Sequence, residues 1–201
     1  KNDSNVIFAS SSHVYGKPHS LPILETDPLN PISIHGKSKV KAEDLCEKYA
    51  KLYGMNIIIV RTFSIYGSKS PSYSITSRII NQILNNQKIT LGNLKTKRDF
   101  LHISDFLSAI DILIKTNLNG CSKFNIGYGK SFSINEICNK LLTIAGISIP
   151  IESDLNLIRD NDIDELVCNN SKLKELGWSP NLSLDNGLKQ VFDWFKKNSE
   201  N

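Results

Sequence analysis

Two stretches of the chain, Asn5-Val-Ile-Phe-Ala-Ser10 and Asn56-Ile-Ile-Ile-Val-Arg-Thr62, are apolar at consecutive positions rather than at alternate ones. Successive side chains of a strand point to opposite faces, so such a run is buried on both. A parallel sheet between helices is the usual way to cover both faces. The segment between the two runs fits that arrangement. Residues 17–31 contain Pro18, Pro22, Pro28 and Pro31, which bar a helix and give an extended loop. From His35 to Tyr53 the apolar spacing becomes that of an α-helix. Val40, Ala42, Leu45, Cys46, Tyr49, Ala50 and Tyr53 fall on one broad stripe, with Glu43, Glu47, Lys48 and Lys51 opposite. Ser33 is placed to cap this helix and Gly54 to end it. The pattern predicts an α/β fold, and the serine-rich end of the first strand lies on the side where such sheets bind ligands.

Downstream, Ile75 to Leu84 reads as a helix with Ile79, Ile80 and Ile83 in register, Lys88 to Leu91 as a short strand, and Ser104 to Lys115 as a helix capped by Ser104. Phe124-Asn-Ile-Gly-Tyr-Gly-Lys-Ser131 invites a phosphate-loop reading, which fails because that motif needs a glycine five residues before Gly129 and residue 124 is phenylalanine. A strand and a turn are expected there instead. Ser133-Ile-Asn-Glu136 is a capping box opening a helix to Ala145. Asn170 to Pro180 and Leu184 to Phe195 supply a helix, a turn and a terminal helix.

With 201 residues, 40% of them hydrophobic, the chain suffices for one large domain or two small ones. No apolar run approaches the roughly 20 residues of a membrane span, and Lys1-Asn-Asp-Ser-Asn leads into a strand without a signal-peptide core, so the chain reads as cytoplasmic. The net charge of +4 comes from scattered lysines, which argues against nucleic acid. Cys46, Cys121, Cys138 and Cys168 form no Cys-x-x-Cys pair and read as reduced thiols. His13, His19, His35 and His102 show no ligand spacing, so no metal site is expected.

Chemistry concentrates around Pro31 to Lys39. At i and i+4 of the helix, His35 and Lys39 share a face, the geometry of an acid/base pair. Ser10-Ser-Ser-His-Val-Tyr-Gly16, Glu25-Thr-Asp-Pro-Leu-Asn-Pro31, Gly36-Lys-Ser-Lys39 and Glu43 together resemble the extended short-chain dehydrogenase/reductase family, the nucleotide-sugar epimerases, dehydratases and reductases. The resemblance runs over nearly the whole chain. That family writes the helix as Tyr-Gly-x-Ser-Lys, and His35 stands where its acid/base tyrosine belongs.

The resemblance implies the C-terminal part of a Rossmann-like doubly wound parallel sheet plus a smaller α/β substrate-binding subdomain. Residues 1–67 would form the first, joined by about 98–128; residues 68–97 and 129–201 would form the second. The eleven glycines never make Gly-x-x-Gly-x-x-Gly or Gly-x-Gly-x-x-Gly, so the dinucleotide-binding turn and a βαβαβ half are expected to precede Lys1. The cofactor implied is NAD or NADP.

By the same resemblance, Ser11, His35 and Lys39 are the catalytic residues. Lys39 also holds the nicotinamide ribose, Ser10 lies at the cofactor, and Ser12 and Ser64 lie at the substrate. Ser64 replaces a substrate-contacting asparagine in Arg61-Thr-Phe-Ser-Ile-Tyr-Gly67. Gly92-Asn-Leu-Lys-Thr-Lys-Arg98-Asp99-Phe-Leu-His102 is similar to the family stretch whose arginine reaches the substrate diphosphate, and Arg159-Asp-Asn-Asp162 to one that places Arg159 on the diphosphate and Asp162 on the ribose. Taken alone, Arg98-Asp99 has the blander alternative of a solvated ion pair, and Arg159 to Asp162 is more often a solvated loop.

Two functions follow. One is an NAD(P)-dependent epimerase or 4-keto-sugar reductase of polysaccharide or deoxysugar synthesis, acting on a UDP-, GDP- or dTDP-linked sugar, with histidine in the tyrosine's place. Gly92-Asn-Leu resembles members acting on GDP-sugars, and Ser12-His13 in place of an acidic pair disfavours a dehydratase. The other is a catalytically silent relative that binds a nucleotide sugar or serves as an oligomerisation partner. An imidazole ends roughly 1–2 Å short of a phenol's oxygen, a misplacement that can cost on the order of a hundredfold in rate. A homodimer built through the catalytic helix is implied by resemblance alone.

Overall fold

The computed structural model describes residues 5–158 and 162–199. In chain order these form β1 (Asn5–Ser11), a 3-10 turn (Ser12–Val14), α1 (Ile34–Tyr53), β2 (Asn56–Thr62), β3 (Ser64–Tyr66), α2 (Ile75–Leu84), β4 (Ile89–Leu91), β5 (Lys97–His102) and α3 (Ile103–Lys115). There follow β6 (Cys121–Ile126), β7 (Ser131–Ser133), α4 (Ile134–Ala145), β8 (Ile151–Ser153), a 3-10 turn (Leu155–Leu157), β9 (Glu165–Leu166), α5 (Ser171–Glu175) and α6 (Leu184–Ser199).

A parallel sheet runs in the order β1-β2-β6. Its middle strand explains why the apolar run at 57–60 has no alternation. Ile57 and Ile59 pack under α1 with Ala50, while Ile58 and Val60 face the other way onto Ala109 and Leu113 of α3 and onto Leu173 and Trp178. Helices on both faces make this a doubly wound α/β arrangement. Beyond it, β5 pairs in parallel with β3 and β9 and antiparallel with β7, and β4 pairs with β8. A second core, with Ile79, Ile80, Ile137, Leu141, Leu188 and Val191 at its centre, joins α2, α4 and α6.

Local signals hold closely. Helix α1 is capped by Ser33, whose Oγ accepts the Gly36 N–H at 3.0 Å, and ends on Gly54 at φ 64°. The capping box closes in both directions, Ser133 Oγ accepting the Glu136 N–H at 3.1 Å and Glu136 Oε2 accepting the Ser133 N–H at 2.7 Å.

Three expectations are corrected. The apolar run of β1 is not buried on both faces, for Val6 and Ala9 are exposed. The inward stripe of α1 is Gly36, Glu43 and Ala50, all buried, whereas Leu45, Tyr49 and Tyr53 are exposed. The helix is rolled so that a carboxylate faces the sheet. The cap of α3 is His102 rather than Ser104: the Ser104 N–H donates to His102 Nδ1 at 3.2 Å, so the acceptor is an imidazole. All four cysteines are free thiols. Among the described residues no helix is long and apolar enough to cross a membrane, and no group of three side chains suits a metal ion.

Candidate functional site

Strands β1 and β2 are parallel and in register, so Ser10 lies opposite Arg61 and Ser11 opposite Thr62 at their common carboxyl end. The chain then turns through Ser12–Val14, with Ser11 Oγ accepting the His13 N–H at 3.2 Å. This turn is pressed against the start of α1. A Cβ on Gly36 would lie 2.4 Å from the His13 carbonyl oxygen, so only glycine admits the approach that sets His35 beside the turn.

A cavity of about 430 Å³ opens at this end of the sheet, lined by Ser11, Ser12, His13, Ser64, Tyr73 and Arg98 among others. It adjoins a second, of about 240 Å³, with which it shares Ser64, Ile75 and Arg98; Arg78, Asn93 and Asp162 line the farther part. The two form a track with hydroxyl groups at one end and guanidinium groups at the other. Arg98 is held by the segment before β9, Nη2 on Asp162 Oδ1 at 2.8 Å and Nη1 on the Ile163 carbonyl at 2.7 Å, and by the neighbouring Lys97 carbonyl, on Nη1 at 2.8 Å.

Asp99 is not the solvated partner of Arg98. Fully buried, it accepts N–H groups of Tyr128, Gly129 and Cys168 at 2.6, 2.9 and 3.0 Å, tying β5 to the turn after β6. Burial pushes its carboxyl up to about 6, against the lowering effect of the three donors.

The other expected residues divide. Ser11, Ser12, Ser64 and Arg98 come together on one cavity, and Asp162 joins through Arg98. Lys39 donates from Nζ to the Ala9 carbonyl at 2.8 Å, beside the end of β1, with the Phe8 ring 5.2 Å away. His35 is exposed and does not line either cavity; its ring packs edge-on against His13, centroids 5.9 Å apart. Ser10 directs its hydroxyl to Glu43 Oε1, away from any open surface. Arg159 lies outside the described residues.

Sequence reasoning missed what stands behind the site. Glu43, placed on the solvent side, pairs with Arg61 in the interior, Nη2 to Oε2 at 2.7 Å, with Nε on both carboxylate oxygens at 3.1 and 3.2 Å. Arg61 Nη1 donates to the Tyr15 hydroxyl and the Glu25 carbonyl, each at 2.9 Å, and Tyr15 donates onward to Asn125 Oδ1 at 2.7 Å. Burial pushes the Tyr15 hydroxyl up to about 12, so it keeps its proton and the chain of donors stays intact. A signal was available: a buried arginine in an otherwise β-branched strand requires a carboxylate. His13, Tyr73 and Arg78 were not singled out as site residues either.

The fold and the cleft define the C-terminal part of a Rossmann-type, nucleotide-sugar epimerase/dehydratase fold of the extended short-chain dehydrogenase/reductases. Residues 1–191 match the family described as GDP-mannose 4,6 dehydratase, and the chain belongs to it. It is 32% identical over 199 residues to a putative UDP-glucose 4-epimerase of Methanocaldococcus jannaschii, covering 96% of this chain and 64% of that protein. The structure of UDP-glucuronic acid 4-epimerase from Bacillus cereus, in complex with UDP-glucuronic acid and NAD, superposes with a TM-score of 0.90 at 29% identity, over 97% of this chain and 62% of that one. A dTDP-glucose 4,6-dehydratase from Bacillus anthracis in complex with NAD gives 0.89 at 26%, over 98% and 63%. The chain thus spans about two thirds or less of the length of these relatives.

Proposed function

We propose that the protein is an NAD(P)-dependent nucleotide-sugar epimerase or 4-keto-sugar reductase in which His35 replaces the tyrosine. One observation carries the reading: Ser11 and Ser12 at the end of β1 and Ser64 on β3 line the same cavity as Arg98. A hexose offers hydroxyls to be matched by hydroxyls, and a diphosphate is gripped by a planar guanidinium. In this reading Asp162 serves the ribose and Arg159, outside the described residues, serves the diphosphate. Relatives named for UDP- and dTDP-linked sugars support this substrate class. The same proposal divides the chain into a dinucleotide-binding part, 1–67 with 98–128, and a substrate-binding part, 68–97 with 129–201. It also includes a homodimer, for which the exposed Leu45, Tyr49, Leu52 and Tyr53 of α1 offer an apolar face.

The residues at the end of β1 fit the nicotinamide end of a dinucleotide, because Lys39 presents an ammonium beside the Ala9 carbonyl and Ser10-Ser11. NAD bound in two of the neighbours supports NAD as the cofactor. When bound, the nicotinamide takes hydride from a sugar carbon and returns it. Lys39 holds the ribose, Ser11 bonds the reacting hydroxyl, His35 occupies the position of the tyrosine that would handle its proton, and any part Ser10 plays belongs to its backbone.

The exposure of His35 outside the cavity lining favours a second reading, a catalytically silent relative that keeps the nucleotide-sugar cleft. Turnover of UDP-glucose, GDP-mannose and dTDP-glucose with NAD, by a protein in which this chain is joined to a glycine-rich dinucleotide-binding half, separates the two, and no binding of any of them would sink both. His35→Tyr is the companion measurement. A large gain in rate favours a decayed site, and a loss favours an adapted histidine.

A further inference from the structure

We infer that His13, not His35, is the residue that exchanges the proton with the sugar hydroxyl, and that His35 is its positioning partner. The inference rests on the nucleotide-sugar reading above and assigns its acid/base step. His13 lines the cavity together with Ser11 and Ser12, whereas His35 sits outside the lining with its ring exposed. The two rings meet edge to face, centroids 5.9 Å apart and planes 82° apart, so the outer ring limits how the inner one can turn.

The backbone of His13 is fixed from three sides. Its N–H donates to Ser11 Oγ at 3.2 Å, its carbonyl accepts the Gly16 N–H at 3.4 Å, and Gly36 passes that carbonyl so closely that a Cβ would lie 2.4 Å from it. A ring carried on so constrained a turn, between two cavity serines and a partner ring, is placed as a proton-transfer group must be. An imidazole also suits the task, since one nitrogen can take a proton near neutral pH while the other keeps a hydrogen bond. An imidazole at position 35 is shorter than a phenol, and its ring meets His13, which lines the cavity.

The step balances as an alcohol oxidation. The sugar carbon gives up its hydrogen as hydride, with the electron pair, to the oxidised nicotinamide dinucleotide. The hydroxyl O–H bond breaks, the carbon–oxygen double bond forms, and the proton passes to an imidazole nitrogen of His13. Return of hydride to the carbon and of the same proton to oxygen completes the cycle.

The test combines histidine-ring ¹⁵N spectra with kinetics. Calorimetry first establishes which of UDP-glucose, GDP-mannose and dTDP-glucose binds. That sugar is expected to shift the His13 ring signals, and His35→Gln to shift them without ligand. In turnover, His13→Gln is expected to lower kcat by about a hundredfold or more with KM changed less than about threefold. His35→Gln should cost about tenfold, with His13→Asn repeating the first measurement should the glutamine variant fold poorly. Measured sugar binding that leaves the His13 ring signals unmoved overturns the assignment, as does a kcat in His13→Gln within about threefold of the wild type. Binding of none of the sugars overturns instead the nucleotide-sugar reading beneath it.

Discussion

Arg61 and Arg98 each meet one carboxylate at nearly the same distance, 2.7 Å to Glu43 and 2.8 Å to Asp162. Their surroundings differ. The side chains of the first pair are 1% and 2% exposed, and the remaining donors of Arg61 end on Tyr15 and the Glu25 carbonyl. Burial alone would lower the Arg61 pKa, but hydrogen bonding and charge from Glu43 and Tyr15 raise it, so the guanidinium stays charged inside the protein. The second pair is 17% and 25% exposed and stands on the wall of the cleft. The same bond thus serves in one place to join α1 to the sheet and in the other to hold a guanidinium on the wall of an open cavity. The environment sets the role, and the geometry of the pair does not.

The largest effect is expected from breaking the buried pair. Glu43→Ala leaves Arg61 charged in the interior and should cost about 3–5 kcal/mol in urea denaturation. A loss under about 1 kcal/mol would mean that water reaches Arg61, and the contrast with Arg98 would vanish. Asp99 comes next, a buried carboxylate met by backbone N–H groups instead of a cation. Its folded pKa of about 6 lies above its ordinary 3.8, so the folded protein binds the proton more tightly than the unfolded chain. The stability this group contributes is therefore present below about pH 4 and is lost as pH rises through about 6, by up to roughly 3 kcal/mol. The difference in unfolding free energy between wild type and Asp99→Asn, followed from pH 4 to 7, checks the sign. A carboxyl ¹³C titration midpoint at or below about 4 would show that the three N–H donors outweigh burial.

Much of the fold was legible because its signals are local. The caps of α1 and α4, the glycine that ends α1 and the unbroken apolar run of β2 each act within a few residues. Glu43 was not legible from polarity, because its burial is decided by Arg61 on β2 and Ser10 on β1. Its phase was a missed sign, for Gly36, Glu43 and Ala50 recur at seven-residue spacing on one face. The alternative that paired Asp99 with Arg98 could have been set aside from sequence, because neighbours on a strand point to opposite faces and so rarely pair. The cleft was read more completely than the scaffold. Ser11, Ser12, Ser64 and Arg98 belong to motifs whose spacing survives in sequence, whereas the His13–His35 pairing needs the Gly36 contact that only the folded chain displays.

The smallest effect on stability, and the sharpest test of the comparison, comes from Arg98→Ala. Removing a guanidinium from a partly exposed pair leaves Asp162 able to reach water, so unfolding should change by less than about 1 kcal/mol. Nucleotide-sugar affinity should nevertheless fall by roughly 10- to 100-fold, the worth of a charge-assisted hydrogen bond to phosphate. Arg98→Lys separates charge from shape, because an ammonium keeps the attraction and loses the planar fork, and its affinity should lie between the two. Should Arg98→Ala destabilise the fold as much as Glu43→Ala while affinity holds, Arg98 would be a second structural clamp, and the anion-binding end of the cleft would have to be sought at Arg78, on the same cavity.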